Sequence, residues 1–360
     1  MKILALSDPH FHAYRQHSTI EGGVNSRLLD VRRAMDQALT AAIGNEVDLI
    51  TVSGDVFHVR GQIKPSVYNQ AYNWFFNAVY HHDMCVAVIP GNHDLETATA
   101  SYDHPLAPMG DLVERTPTGK GICCLIDSPL GAVYSLRGSL IGGIPYQANL
   151  AEFKERFVEM AKNDNPEAIL IHQGIDDFDV EGVPATGLTA KWLLDNYDGI
   201  VLAGHYHAPG VAYAEKGMGK VVNVGAPLHH RLSDYGIDMG YWIVDTVDQE
   251  CVFGPIHGPE FVKVHEEKEI NADIKGDFVY LYPQDEKEAK KWEKKAKKYE
   301  PRTITTVLEK QFSTARETTI EVDTPRAMLA KFLDSDPRYK PHRAELLSRF
   351  DALEVSDATA

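Results

Sequence analysis

The sequence predicts an α/β fold, with a smaller unit and a helical tail following a large first domain. Three observations carry that reading. Short, uninterrupted apolar runs, the signature of strands buried on both faces, recur through the first two thirds of the chain. Segments with helical spacing lie between many of them. Five of the runs stop at side chains able to bind a cation or move a proton, and the carboxyl ends of strands are where α/β sheets place their chemistry. The central example is Val86-Ala87-Val88-Ile89, which halts at Pro90-Gly91 and then presents Asn92, His93 and Asp94 in a row.

Taken in order, Lys2–Leu6 reads as a strand running into Ser7-Asp8-Pro9-His10. If the backbone stays extended there, Asp8 and His10 lie two apart and reach one point. A polar loop over Phe11–Ser26 precedes a helix over Arg27–Ile43, with Leu28, Val31, Met35 and Leu39 at helical spacing. Asp48–Val52 is the next strand and ends in Ser53-Gly54-Asp55-Val56-Phe57-His58. The helix over Ser66–His81 carries Tyr68, Tyr72, Trp74, Phe75, Phe76 and Tyr80 on more than one face, too wide a spread for a single core stripe.

Beyond the central run, Glu96–Leu112 reads as loop and short helix, and Val133–Leu136 with Leu140–Ile144 as a hairpin about Arg137-Gly138. A helix over Phe153–Lys162 leads to the strand Ala168–Ile171, which ends on His172-Gln173-Gly174. A helix over Leu188–Asn196 leads to Gly199–Ala203, which runs into Gly204-His205-Tyr206-His207. Lys220–Val224 and Tyr241–Val244 are further strands. The composition then shifts, and Asp277–Pro283, Gln284–Tyr299 and Arg302–Leu308 read as strand, basic helix, strand. The expected boundaries are 1–254 for the large domain, 255–312 for the small one and 313–360 for linker and tail. Thr324-Pro325 is a sound helix start for that tail.

Composition narrows the classes. At 360 residues with 44% hydrophobic content there is ample material for a large core. No stretch approaches the roughly 18 consecutive apolar residues of a membrane span, so no membrane role is expected. The run Ile3–Leu6 breaks at once into Ser7-Asp8, unlike a signal peptide. Four cysteines without a CxxC pair fit small core residues in a reducing, cytoplasmic setting. Sixteen histidines, several at strand ends, point toward metal. The formal charge of -16 argues against nucleic-acid binding by the whole surface, yet leaves room for a phosphate site whose field bound cations reverse.

The five strand ends supply Asp8 and His10; Asp55 and His58; Asn92 and His93; His172; and His205 and His207. Singly, each has an ordinary structural explanation, such as a turn or a solvated histidine. Five in order, each after a buried strand, form a constellation. Two-metal hydrolysis of a phosphate ester needs a carboxylate to bridge ions about 3.5–4 Å apart, with further ligands that leave coordination positions open. Mixed imidazole and oxygen donors suit manganese, iron or zinc better than magnesium or calcium. Gly54, Gly91 and Gly204 stand just before the ligands, where a sharp turn is expected.

This series, Asp-x-His, Gly-Asp-x-x-His, Gly-Asn-His-Asp, a lone strand-end His and Gly-His-x-His, resembles the calcineurin-like metallophosphoesterases over roughly residues 1–250. Gly54–His58, Lys64-Pro65-Ser66, Ile89–Asp94 and Asn223-Val224-Gly225-Ala226-Pro227 are similar to the SbcD-type nuclease subunits of double-strand-break repair, phage relatives included. The resemblance implies a two-sheet sandwich flanked by helices, with a small α+β capping domain. It implies two divalent ions, manganese first, with Asp55 bridging them. Asp8, His10 and His207 would complete one site, and Asn92, His172 and His205 the other. His93 would stand beside the scissile phosphate with Asp94 orienting its ring, and His58 would support the site. The family further implies cleavage of DNA, a homodimer through the aromatic helix, and an SbcC-type coiled-coil ABC ATPase bound by the C-terminal helices. Pro9 and the acidic total depart from the expected pattern.

Other residues have plainer explanations. His12, His17 and His104 are loop histidines, with an approach to the cleft as the functional alternative, and His229-His230 reads as a solvated pair, with substrate contact as the alternative. The lysines of the 284–299 helix alternate with glutamates, as on an exposed ion-paired face, with phosphate tracking as the functional alternative. Two rival functions remain at this level: a phosphoesterase for nucleotides or phosphoproteins, and a catalytically silent metal-stabilised scaffold. His93, a non-ligand acid with no use in a scaffold, speaks against the second.

Overall fold

Strand β1 (Lys2–Leu6) turns Ile3 and Ala5 toward one hydrophobic core and Leu4 and Leu6 toward another, and that alternation sets the architecture. This computed structural model describes residues 1–97, 103–110, 112, 121–136, 138–178, 185–214, 219–308, 329, 333 and 342–347. A small hairpin, β2 (Ile20–Glu21) and β3 (Val24–Asn25), leads into α1 (Ser26–Gly44), whose first turn is capped by the Asn25 side chain. Then come β4 (Leu49–Val52), α2 (Pro65–Phe76), β5 (Cys85–Val88), α3 (Ala107–Gly110) and β6 (Ile122–Leu125). The second half of the large domain holds β7 (Ala132–Leu136), β8 (Ser139–Ile144), α4 (Leu150–Asn163), β9 (Ala168–His172) and α5 (Ala190–Asn196). It closes with β10 (Ile200–Gly204), β11 (Gly210–Tyr213), β12 (Lys220–Asn223), β13 (Gly240–Asp245) and β14 (Glu250–Pro255).

These strands make two six-stranded sheets, ordered β14-β13-β1-β4-β5-β6 and β11-β12-β10-β9-β8-β7. The core between them includes Ile3, Ala5, Leu49, Ala87 and Ile89 from the first sheet and Ile141, Leu170, Leu202 and Val222 from the second. The outer face of the first sheet buries against α1 and α2, and that of the second against α4 and α5. The expected two-sheet sandwich flanked by helices is therefore the fold found. With both faces covered, the inner strands need no polar alternation, which is why they read as solid apolar runs. Strands β1, β4 and β5 run parallel, as do β9 and β10, so their carboxyl ends gather at one end of the sandwich.

The aromatic helix differs from expectation in its last turns. Regular α-helix ends at Phe76, and Asn77–His81 continues as π-helix. Trp74 and Phe75 are buried in the core, while Tyr68, Tyr72, Phe76 and Tyr80 are half-buried and stack in sequence along one side.

Past the second sheet, β15 (Phe261–Val264), β16 (Phe278–Leu281), α6 (Glu286–Ala296) and β17 (Thr303–Thr306) form a three-stranded parallel sheet with one helix. The expected strand–helix–strand is present, and β15 is an additional strand ahead of it. Val264, Val279, Leu281, Trp292 and Ala296 give this sheet its own core. Its other side meets the long loop after β1, where His17 bonds both Tyr280 and Thr303. Residues Met1–Glu309 form one compact unit and Lys310–Ala360 a second. Within the second, residues 343–347 are helical, and most of the two expected tail helices lie outside the described residues. No helix among the described residues is long and apolar enough to cross a membrane.

Candidate metal centre

Each candidate ligand lies in the loop that a buried strand delivers or, for His172, on the strand's last residue, and the local backbone is unusual. Asp8, His10, Asp55 and His205 all have positive φ, at 50°, 47°, 51° and 101°. The left-handed region is costly for such residues and concentrates at functional sites. The expectation of an extended Asp8–His10 segment is thus corrected: the two side chains converge through two left-handed residues. The glycines also act otherwise than expected. Gly54 does take a positive φ of 94°, but Gly91 and Gly204 do not. A Cβ on Gly91 would collide with the Asp55 carboxylate, and one on Gly204 with Ser7 and the Ser53 carbonyl. Close approach, more than turning, excludes a side chain at these two positions.

Asp55 lies at the middle. One carboxylate oxygen is 3.7 Å from His10 Nε2 and the other 3.4 Å from His172 Nε2. Toward the first side gather Asp8 Oδ1, 3.8 Å from His10 Nε2, and His207 Nε2, 3.3 Å from the same atom. Toward the second, Asn92 Oδ1 lies 3.1 Å from His172 Nε2 and 3.0 Å from His205 Nδ1. All seven expected ligands therefore come together, in two groups divided by Asp55.

The surroundings aim these groups. His172 Nδ1–H donates to the Ser53 carbonyl at 2.6 Å, leaving Nε2 for the centre. Burial disfavours a charged His172, but the Asp55 carboxylate outweighs it and raises the ring to about 9, while Asp55 itself is lowered. Burial and neighbouring histidines lower His10, and burial foremost brings His205 down to about 4. Asp8 Oδ2 accepts from Ser7 Oγ and the His205 amide, whereas buried Asp8 Oδ1 has no hydrogen-bond partner among the described residues. A carboxylate oxygen kept out of water with nothing to accept from is expensive, and a cation would relieve it.

His93 donates its amide to Asp55 Oδ1 at 2.7 Å, and its ring Nδ1–H donates to the His58 carbonyl at 2.7 Å. The expectation that Asp94 orients that ring is corrected by this geometry. The Asp94 carboxylate is buried and accepts from the amides of Val56, Phe57 and Gly91, which ties the Asp55 loop to the His93 loop. Burial, with the nearby Asp55 charge, raises Asp94 to about 7. His58 stacks on His93 with ring centroids 5.4 Å apart, and burial lowers it to about 4.

The first 209 residues match the model of the calcineurin-like phosphoesterases. The chain belongs to that family. No curated protein matches it in sequence. Among solved structures it is similar to the protein TT1561 of Thermus thermophilus, at 16% identity and a TM-score of 0.44, over 71% of this chain and 99% of that one. A dimetal phosphatase from Danio rerio aligns at 9% identity and a TM-score of 0.44, over 72% and 97%. The Yfce phosphoesterase of E. coli aligns at 15% identity and a TM-score of 0.29, over 71% and 100%.

For a calcineurin-like phosphoesterase the donor set is chemically apt. Two carboxylates, an amide oxygen and four imidazoles fit divalent manganese, iron or zinc. Asp8 with His10 and His207, and Asp8 with Asp55 and His172, each bring their ligand atoms within 4.8 Å of one another. The cleft above them, about 500 Å³, is also lined by Tyr14, His58, His93, Arg231 and Asp234.

The remaining histidines divide. His12 packs against Tyr14 and His58 beside the cleft, whereas His17 belongs to the three-stranded sheet. His104 lies 3.5 Å from Asp127. The reading of His229-His230 as a solvated pair is corrected: both are buried, His229 accepting from the Phe261 amide and His230 donating to the Asp8 carbonyl. Tyr14, Arg231 and Asp234 escaped notice because no strand end or metal-type spacing marks them; only the fold brings them to the cleft.

Proposed function

We propose that this chain is a divalent-metal-dependent phosphodiesterase that cleaves DNA, as exonuclease and endonuclease, in recombination or double-strand-break repair. The observation that carries the phosphoester chemistry is Asp55, with one oxygen toward each ligand group. Ions held there supply Lewis-acid stabilisation of charge developing on the phosphoryl oxygens. Manganese is the first choice for the donor set.

The chain's own residues do the rest. Asp8, His10 and His207 would hold one ion and Asn92, His172 and His205 the other, with Asp55 shared. The His58 carbonyl fixes His93 with Nδ1 protonated, so that Nε2 is the atom left toward the phosphate; only with a second proton, on Nε2, would the ring bind the phosphate or pass that proton to the departing 3′ oxygen. Asp94 holds the loops carrying Asp55 and His93 in register by capping both. His58, stacked on His93, limits that ring's movement.

The preference for DNA rests on the likeness of Gly54–His58, Lys64–Ser66, Ile89–Asp94 and Asn223–Pro227 to SbcD-type nucleases, and on the appended sheet with its lysine-bearing α6. Two of those lysines, Lys291 and Lys295, are engaged by Glu267, which leaves the others to meet phosphate. The same likeness supports a cytoplasmic nuclease that pairs with a second copy through the half-buried rings of α2 and works with a coiled-coil ABC ATPase bound by its tail. A phosphoesterase for nucleotides is the second reading, favoured by the charge of -16, which opposes a long polyanion. End-labelled duplex and single-stranded DNA, with manganese and beside a chromogenic phosphodiester, separates them. Turnover of the small ester without DNA cleavage would favour the second reading.

A further inference from the structure

Beyond the seven ligands, one buried carboxylate stands against the site and is engaged by no strand-end motif. Asp234 is 2% exposed and lies in the short 3₁₀ turn Leu232–Asp234. Its Oδ2 accepts from the amides of His230 at 2.8 Å and Arg231 at 3.1 Å, which fixes the carboxylate in direction. Its Oδ1 faces His207 Nδ1 at 3.5 Å, and that buried nitrogen has no hydrogen-bond partner among the described residues. The opposite nitrogen of the same ring, Nε2, is the one that meets His10.

We propose that Asp234 is a positioning residue for His207: it accepts a hydrogen bond from Nδ1–H, and so leaves Nε2 unprotonated toward the metal group of Asp8, His10 and Asp55. A neutral imidazole carries one proton, and a carboxylate at one nitrogen decides which nitrogen that is. Asp234 is itself poorly placed to be a ligand, since two amides occupy one oxygen and the His207 ring stands before the other. Its support is rigid. Arg27, buried between Tyr14, Phe261 and Phe278, donates to the carbonyls of His229 and His230, holding the segment that delivers Asp234. His230 in turn donates to the Asp8 carbonyl at 3.0 Å, so the turn is braced against a ligand loop as well.

The inference rests on the two-metal reading for its consequence but not for its geometry, and the test separates the two. Long-range proton–nitrogen correlation on the metal-free full chain labelled with ¹⁵N-histidine, at about pH 8 where histidine is ordinarily neutral, reads the His207 tautomer directly. Its signals are assigned by their loss in His207→Gln. The expected state is protonated at Nδ1. Asp234→Asn can keep the two amide bonds but turns an NH₂ toward Nδ1. It should invert the tautomer and weaken one of two Mn²⁺ equivalents by about 10–100-fold in calorimetric titration, the other staying unchanged. Asp234→Glu should restore part of that affinity. Protonation at Nε2 in the unaltered chain overturns the proposal without any variant, as does wild-type affinity for both ions in Asp234→Asn. If the unaltered chain takes up no Mn²⁺, the two-metal reading fails, while the tautomer still decides the role of Asp234.

Discussion

His10 and His207 face each other through their Nε2 atoms at 3.3 Å. Two neutral imidazoles cannot both direct lone pairs along that line without repulsion, so a proton or a cation belongs between them. Asp55 and Asp8 Oδ1, which has no hydrogen-bond partner among the described residues, border the same space. Divalent metal should therefore stabilise the folded chain, by about 2.7 kcal/mol per site when present at about 100 times its Kd. Calorimetric scans should show Tm rising with Mn²⁺ and falling back with chelator. Asp55→Asn should lose most of the rise and all phosphodiester turnover. A Tm indifferent to metal in the unaltered chain would refute the assignment.

His93 separates chemistry from binding. Its ring is held by the His58 carbonyl and its amide by Asp55, and its side chain is in neither of the two proposed ligand groups, although its ring comes within 4.8 Å of ligand atoms of His10 and His58. His93→Gln should keep both metal equivalents and lose ~10²–10⁴ in turnover, the usual worth of a proton donor at a leaving group. Unchanged turnover would remove His93 from the reaction.

Gly91 offers a test of packing against the centre. An added methyl would overlap the Asp55 carboxylate and its backbone nitrogen. Gly91→Ala should therefore displace Asp55 and lower both metal uptake and activity. Gly44→Ala at the end of α1 meets nothing within 4 Å and should change neither. Equal behaviour of the two variants would show that the close approach at Gly91 has no functional weight.

The candidate site was legible because the residues that converge there sit where strands end, a one-dimensional signal. A buried strand leaves an apolar run, and the polar residues that interrupt it stand out. Asp55, His172 and His205 could be picked that way. Asp234 and Tyr14 could not, because they reach the cleft from a turn and a loop whose sequence carries no periodicity. Backbone conformation was also hidden: nothing in Asp8-Pro9-His10 announces two left-handed residues. The role expected of Asp94 failed for a related reason. A carboxylate next to a histidine in sequence is an obvious ring partner, yet three converging amides from two loops claim it first.

The stacked rings of Tyr68, Tyr72, Phe76 and Tyr80 bear on assembly. They are half-buried rather than fully covered, so a second copy pairing along α2 would bury them further. Sedimentation at micromolar concentration should give a dimer, and Tyr72→Lys should shift it to monomer. A monomer in the unaltered chain would leave the ladder as packing alone.

The tail supplies the last test. Met328, Leu329, Phe332 and Leu333 recur at helical spacing, and Leu346, Leu347, Phe350 and Leu353 do so again beyond a polar, proline-containing connection. Helices this short are marginal in water unless an apolar face is covered, and laying such a face on a partner's groove is a common mode of recognition. An ATPase bound there would also bring the basic surface that a chain of net charge -16 lacks. Ending the chain after Asp323 should leave hydrolysis of a small phosphodiester intact. The same truncation should abolish co-purification with the ATPase and ATP-stimulated DNA digestion. A truncated chain that still binds the ATPase at full stoichiometry would assign the two stripes to packing within the chain.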